Sequence, residues 1–339
     1  MAAPHRRAAL LLLVLALVGL RPVAAAPASS TPAPATTNGR LVLVISVDGL
    51  TPKVIGKLGP SRLPHLHRLL RQGASTRNAR AQPELTDTLP NHTSMVTGRR
   101  IDAAYGGHGV TWNHDARGRT VRDGAGGPVA SVFTEVDAAG GSTAVFATKS
   151  KFSLFRRTWP GAVHTSVVRE GKDAGVTFRL RRHLRRERPA FSLLHLGGPD
   201  RAGHDHRWMG PQYRRAVQRA DRLVGTVLAT RDASRALRQR LRIVLTSDHG
   251  GVPWRRSHAD PRRLANHRVP FVVHGRGVAR GENLYRLSRG YRRPGRAWRP
   301  ATGVQPIRNG DVANLALSLL GLGPVPGSQW GTEQRLAWR

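Results

Sequence analysis

At 339 residues the chain can bury one large α/β core with a small cap, and two full domains are disfavoured. With no cysteine, disulfides, thiolate zinc sites and a lipoprotein anchor are excluded. The formal charge of +35 rests on 55 basic residues of which only Lys53, Lys57, Lys149, Lys151 and Lys172 are lysine; this arginine excess, with 37 Gly and 23 Pro, reads as a GC-rich compositional background rather than a nucleic-acid footprint.

Met1 to Arg7 is basic, Ala8 to Leu20 is apolar, and Val23-Ala24-Ala25 supplies small residues for cleavage, the pattern of a secretory signal peptide over residues 1–25. The apolar run is short for a bilayer span, so an uncleaved anchor is the weaker alternative and no stable membrane anchor is expected after cleavage. Residues 26–39, rich in Pro, Ala, Ser and Thr, read as a flexible linker, and residues 40–330 as the catalytic domain.

From Leu41 onward strand-like and helix-like segments alternate. Short apolar runs predict strands near 41–48, 142–148, 190–196, 242–247 and 269–274. Helical periodicity predicts helices near 63–72, 90–97, 175–187, 211–229 and 309–320, the last capped by Asn309 and closed by Gly321. The dense run Arg179 to Arg188 keeps Val176, Leu180 and Leu184 at four-residue spacing, so it reads as the solvated face of a helix. Such alternation implies a largely parallel sheet sandwiched by helices, with residues 276–306 an irregular excursion.

Three of the strand-like runs end on metal-ligating side chains. Leu41 to Val47 ends on Asp48; Phe191 to Leu196 leads to Asp200 and His204, four apart and presentable by one turn; Ile243 to Ser247 ends on Asp248-His249. Taken singly each has a bland explanation, a turn aspartate or a surface histidine. Together, carboxylates and imidazoles in this order fit two zinc-like divalent ions. Between them Thr88 lies just before a helix start at Pro90, where free N–H groups and the dipole favour an anion; it is either a nucleophilic hydroxyl or an ordinary cap.

Asp48, Thr88-Leu-Pro-Asn-His92 with Val96-Thr-Gly98, Asp200-x-x-x-His204 and Ser247-Asp-His-Gly250 resemble the alkaline phosphatase superfamily, nearest its type I phosphodiesterase/nucleotide pyrophosphatase branch, over about residues 41–325. The resemblance implies an alkaline-phosphatase-like α/β fold and two zinc ions. Asp48, Asp248 and His249 would hold one ion with the Thr88 oxygen; Asp200 and His204 would hold the other. The branch's usual third histidine, from a Gly-x-His-Gly motif near the C-terminus, is missing. In sulfatase-like relatives a histidine nearer the Asp248-His249 pair completes the site, which points to His258, with His267 as runner-up. Asn113 resembles the asparagine that donates to a phosphoryl oxygen.

The branch places an aromatic directly after the nucleophile to stack a base; here Leu89 stands there. Aromatic residues make up 5% of the chain, which also disfavours a stacking-based binder of single strands, and no specific nucleic-acid partner is expected. The expected activity is that of a secreted phosphodiesterase or pyrophosphatase acting on a nucleotide or envelope phosphodiester. Two alternatives stand beside it: a phosphomonoesterase or sulfatase of the same superfamily, the latter disfavoured because no Cys/Ser-x-Pro-x-Arg motif is present, and a non-catalytic envelope protein that binds polyanions.

Overall fold

The computed structural model describes residues 1–2, 37–298 and 302–339. The expected signal peptide and most of the expected linker lie outside these residues. Seven strands form one sheet: β1 (Leu41–Val47), β2 (Ala74–Arg80), β3 (Thr143–Ala147), β4 (Thr165–Val168), β5 (Phe191–Leu196), β6 (Leu241–Thr246) and β7 (Arg268–His274). Their order is β2-β7-β6-β1-β5-β3-β4. The pairs β1–β5, β1–β6, β3–β5 and β3–β4 are parallel, while β6–β7 and β2–β7 are antiparallel. This is the largely parallel, helix-flanked α/β sheet expected.

Strand β1 shows how sequence becomes layers. Every residue of Leu-Val-Leu-Val-Ile-Ser-Val is buried, and successive side chains alternate between faces. Val42 and Val44 join one apolar core, and Leu41, Leu43, Ile45 and Val47 join the other. The first core includes residues of the Thr88–Thr97 and Val312–Leu320 helices; the second includes residues of the Pro52–Arg62, Pro64–Gln72, Asp173–Arg186 and Pro211–Asp232 helices. Burying each aliphatic side chain contributes about 1.5–3 kcal/mol.

Two strands escape the apolar signal. β2 (Ala-Ser-Thr-Arg-Asn-Ala-Arg) is polar because it is an edge strand whose outer side carries only isolated bridges at Ser75 and Arg80, and β4 is a four-residue, half-buried opposite edge. Asn309 is not the cap expected of it. It opens a 3₁₀ turn ahead of the Val312–Leu320 helix, and its amide reaches the Asp248 carbonyl at 2.8 Å and Asn91 Oδ1 at 3.0 Å. Within 276–306 the described residues form one short helix, Leu284–Leu287, in otherwise irregular chain. Packing continues to the C-terminus, where Trp338 is buried and its carbonyl accepts from the Ala279 N–H.

Burial makes the fold sensitive to acid. It pushes the imidazole of His108 down to about 3 and those of His267 and His274 down to about 4. These rings are neutral in the folded chain, whereas in the unfolded chain they take up protons near pH 6.5. Below that pH the unfolded state binds more protons, so stability is full above about pH 6.5 and falls toward pH 4. At pH 5 each ring should cost about 2 kcal/mol, seen as a steep drop in Tm between pH 6.5 and 5. Replacing His108 with Gln should flatten that slope; an unchanged slope would remove the assignment.

Candidate active site

The topology places β1 between β5 and β6, both parallel to it, so all three end at one edge of the sheet. Ser46 lies level with His195 on β5 and with Thr246 on β6. Ligand groups of α/β proteins collect at such carboxyl ends. Here Asp48, the Gly198–His206 helix carrying Asp200 and His204, and Asp248-His249 all follow at that edge.

Gly49 lets these segments close on one another. Its φ of +67° is left-handed, and a Cβ there would stand 3.1 Å from Asp200 Cα and 3.3 Å from Asp200 Cβ. Its N–H donates to Asp248 Oδ1 at 3.2 Å, and its carbonyl accepts from Tyr213 at 2.7 Å and Trp208 at 3.1 Å. Gly49→Ala should therefore lower stability by about 1–2 kcal/mol from backbone strain alone. By moving Asp200 it should also loosen the carboxylate cluster and weaken its hold on a divalent ion about tenfold or more. Melting curves and metal titration on the same preparation check both.

The Thr88–Thr97 helix begins two residues earlier than its proline suggests: Asp87 is the cap position and Thr88 the first helical residue. All ten residues are buried, and the helix ends on left-handed Gly98. Asn91 ties the approach in place by accepting from Gln82 N–H at 2.9 Å and donating to the Leu85 and Asp87 carbonyls. His92 donates through Nδ1 to the Thr88 carbonyl and meets Ser46 Oγ through Nε2, each at 2.8 Å. Burial, followed by the nearby His195, holds this imidazole well below its ordinary value.

Each carboxylate of the cluster has one oxygen engaged and one bare. Asp48 Oδ2 accepts from His195 Nε2 at 2.8 Å and pairs with Lys149 Nζ at 2.6 Å; Asp200 Oδ2 accepts from Lys149 at 2.7 Å; Asp248 Oδ1 accepts from Gly49 N–H and from Ser247. Asp48 Oδ1, Asp200 Oδ1 and Asp248 Oδ2, with His249 Nε2, are buried and have no hydrogen-bond partner. Such unpaired groups are costly unless something satisfies them.

The histidines are set for the same task. His204, His249 and His258 each place Nδ1 2.7–2.8 Å from a backbone carbonyl, of Arg256, Gly250 and Thr86 respectively. A carbonyl only accepts, so Nδ1 carries the proton and Nε2 offers a lone pair to the cluster. Nε2 of His249 lies 3.3 Å from both Asp48 and Asp248; that of His258 lies 3.7 Å from Asp200 Oδ1 and 3.1 Å from His204 Nε2. Asp48, Asp248 and His249 form one group able to hold a cation, and Asp200, His249 and His258 a second, so His249 stands between them. His204 Nε2 is 3.4 Å from Asp200 Oδ1, with its side chain 45% exposed. His267 is elsewhere: it accepts from the Trp298 indole at 2.7 Å, beside the Pro261 carbonyl.

Charge balance points the same way. Burial, then the charge of Asp48, pushes Asp248 up to about 7. Burial opposes the charged form of His249, yet the charges of Asp248, Asp48 and Asp200 outweigh it and raise the ring to about 10, so with the cluster empty of cations Nε2 carries a proton that a bound ion would displace. Asp48 is likewise opposed by burial but held well below the carboxylate range by Lys149, the His195 hydrogen bond and the neighbouring His249. Without added cations the cluster must retain protons to offset its negative charge, so its bare oxygens and imidazole lone pairs suit divalent metal.

Sequence reasoning missed Lys149 and His195. Lys149 joins the two halves of the site by pairing with Asp48 and Asp200 and donating to Thr88 Oγ1 at 3.1 Å. Its signal was rarity, a lysine in an arginine-rich chain. His195, inside an apolar strand, carries the opposite tautomer: its Nδ1 accepts from Thr148 N–H at 3.3 Å, so Nε2 donates to Asp48 and orients it. Asn113 Oδ1 accepts from Leu89 N–H at 3.0 Å and from Lys151 at 2.8 Å, next to Thr88.

Residues 42–267 match the model of the type I phosphodiesterase/nucleotide pyrophosphatase family. The chain is 28% identical over 236 residues to ectonucleotide pyrophosphatase/phosphodiesterase family member 1 of Mus musculus, covering 64% of this chain and 24% of that relative. It therefore spans about a quarter of that relative's length. Its structure is similar to murine ectonucleotide pyrophosphatase/phosphodiesterase 5, solved as an inactive threonine-to-alanine variant with AMP (TM-score 0.61, 14% identity, 88% of this chain and 100% of that one). It is also similar to an alkaline phosphatase superfamily protein from Vibrio parahaemolyticus (TM-score 0.58, 13% identity, 88% and 70%). On this fold and this match, the chain belongs to the type I phosphodiesterase/nucleotide pyrophosphatase family, a family of enzymes that hydrolyse phosphoric ester bonds.

Proposed function

We propose that the protein is an exported, metal-dependent phosphoester hydrolase that uses Thr88 as its nucleophile. The observation that carries this reading is the convergence of four unpaired buried ligand atoms, on Asp48, Asp200, Asp248 and His249, around a threonine hydroxyl at a helix start. Asp48, Asp248 and His249 would hold one divalent ion with Thr88, and Asp200, His204 and His258 the other, zinc being the best match to mixed carboxylate and imidazole donors. Bound there, such ions supply Lewis acidity and lower the pKa of a hydroxyl or water.

The chain's own residues do the rest. Thr88 Oγ attacks phosphorus, forming a phosphothreonine ester as the bond to the leaving oxygen breaks; water then cleaves that ester and regenerates the hydroxyl. Lys149, donating to Thr88 Oγ1, stabilises negative charge on that oxygen. Asn113 stands beside the helix start to orient a phosphoryl oxygen, and His92 and Asn91 hold that helix start still. The secretory leader read in residues 1–25 supports export, and among the described residues no helix is long and apolar enough to cross a membrane.

The metal-loaded protein is expected to turn over bis-p-nitrophenyl phosphate, and comparison with p-nitrophenyl phosphate separates diester from monoester preference. No turnover of either by protein shown to contain metal would overturn the reading in favour of a polyanion-binding protein.

A further inference from the structure

The basic run of the Asp173–Arg186 helix does not simply face open solvent. Between this helix and the Pro211–Asp232 helix lies a cleft of about 1430 Å³, on the sheet face opposite the Thr88–Thr97 helix. Its floor is apolar. Phe146 of β3 is buried there, while Val167 and Leu223 stay half-buried, because β4 is the edge of the sheet. The walls are arginine: Arg179, Arg182 and Arg186 on one side, Arg215, Arg219 and Arg222 on the other. Steps of three and four residues put each trio on one stripe of its helix, so two rows of guanidinium groups line the same concavity.

The charge in the cleft is not neutralised by the chain. All six arginines are exposed, and among the described residues no carboxylate is within ion-pair distance of any of them. Asp173, which also lines the cleft, is taken up by the Gly197 and Gly198 N–H groups at 3.1 and 2.9 Å. Lys172 and Arg201 add charge where the cleft meets the Gly198–His206 helix. Residues 1–36 contain no Asp or Glu and so bring no countercharge, and a second copy of a chain with formal charge +35 would be repelled. Arginine is common throughout this sequence, but a compositional bias scatters its charges. Here two helices aim matched rows into one cleft, whose low-dielectric walls focus their field on an anion from outside.

Helical rise sets the size of that anion. Successive arginines of a wall stand about 4.5–6 Å apart along the axis, and each trio spans about 10 Å. A single phosphate reaches only a fraction of this length. A chain of phosphates running between the rows meets guanidinium groups on both sides, each able to grip an oxyanion through two N–H donors. A strand carrying bases would need stacking faces, and of the two phenyl rings in the cleft Phe146 is buried and only Phe178 is exposed. We propose that this cleft is a docking site for a linear, base-free phosphate polymer, separate from the metal-ligand cluster. It holds the protein on the polymer whether or not Thr88 is the nucleophile.

The test measures binding of labelled inorganic polyphosphate by fluorescence anisotropy, in a Thr88→Ala background so that turnover does not consume the probe. Replacing Arg215, Arg219 and Arg222 together with Gln should weaken binding about tenfold or more and lower the slope of log Kd against log salt by about 2. Replacing Arg289, Arg292 and Arg293 with Gln removes the same charge outside the cleft and should change neither. With Thr88 intact, the cleft variant should turn over bis-p-nitrophenyl phosphate at the wild-type rate. Equal weakening by the two triple variants would show net charge alone at work and overturn the proposal, as would a cleft variant that loses diester turnover along with binding. Tighter binding of oligothymidylate than of polyphosphate, or of anionic vesicles in place of it, would overturn it in favour of a nucleic acid or a membrane.

Discussion

Thr88→Ala should lose kcat toward bis-p-nitrophenyl phosphate by a factor on the order of 10⁴ or more, with its far-ultraviolet spectrum intact. The argument is geometric. Thr88 is the first residue of a buried helix, its carbonyl is held by His92, and its hydroxyl meets Lys149, which also bridges Asp48 and Asp200. No other hydroxyl is so placed with respect to both carboxylates among the described residues. Removing the hydroxyl deletes the atom that would form the covalent bond, while losing only one methyl-sized contact and one hydrogen bond, a cost of about 1 kcal/mol. Thr88→Ser keeps the oxygen and should retain measurable turnover. Acid quench should trap label from a ³²P-labelled substrate on wild type and not on Thr88→Ala. A Thr88→Ala enzyme working at full rate would end the nucleophile assignment.

Removal of divalent metal should have the second large effect, on stability as well as rate. The bare oxygens Asp48 Oδ1, Asp200 Oδ1 and Asp248 Oδ2 gather at distances where like charges repel, and among the described residues Lys149 and the protonated His249 offset them. An ion at about 1,000 times its dissociation constant stabilises the folded state by about 4 kcal/mol. For a domain of this size that is a Tm rise of roughly 6 °C per ion. Chelation should therefore lower Tm by that amount and abolish turnover, and zinc should restore both. Without metal, Asp248→Asn should melt higher than wild type, because it removes a buried charge; with metal the order should reverse. Protein whose Tm and rate ignore chelation would refute metal use.

Much of this was legible in the chain. Asp48, Asp200 and Asp248 could be picked out because each follows an apolar run, and runs of that length in an alternating pattern end at one edge of a parallel sheet. The Pro211–Asp232 helix was visible from its stripe of Tyr213, Val217, Ala220 and Val224, all buried as the periodicity predicts. β2 was hidden because an edge strand needs no apolar face, and Asn309 was misread as a cap because a local rule sees only neighbours in sequence. Its actual partners, Asp248 and Asn91, are 61 and 218 residues away.

What the amino-acid order determined by itself was a set of chemical groups and the elements carrying them: hard and borderline ligands after strands, a hydroxyl ahead of a helix, and a background of arginine. Packing decided which of these groups share one space. Only the order β6-β1-β5 brings Asp248, Asp48 and the Asp200 helix to one place, and only Gly49 leaves room for them to touch. Lys149 and His195 gained their meaning the same way. A cation or an imidazole has no role until the fold decides which charges lie within a few ångströms, and over such distances in a buried site Coulomb energy outweighs anything local sequence can express.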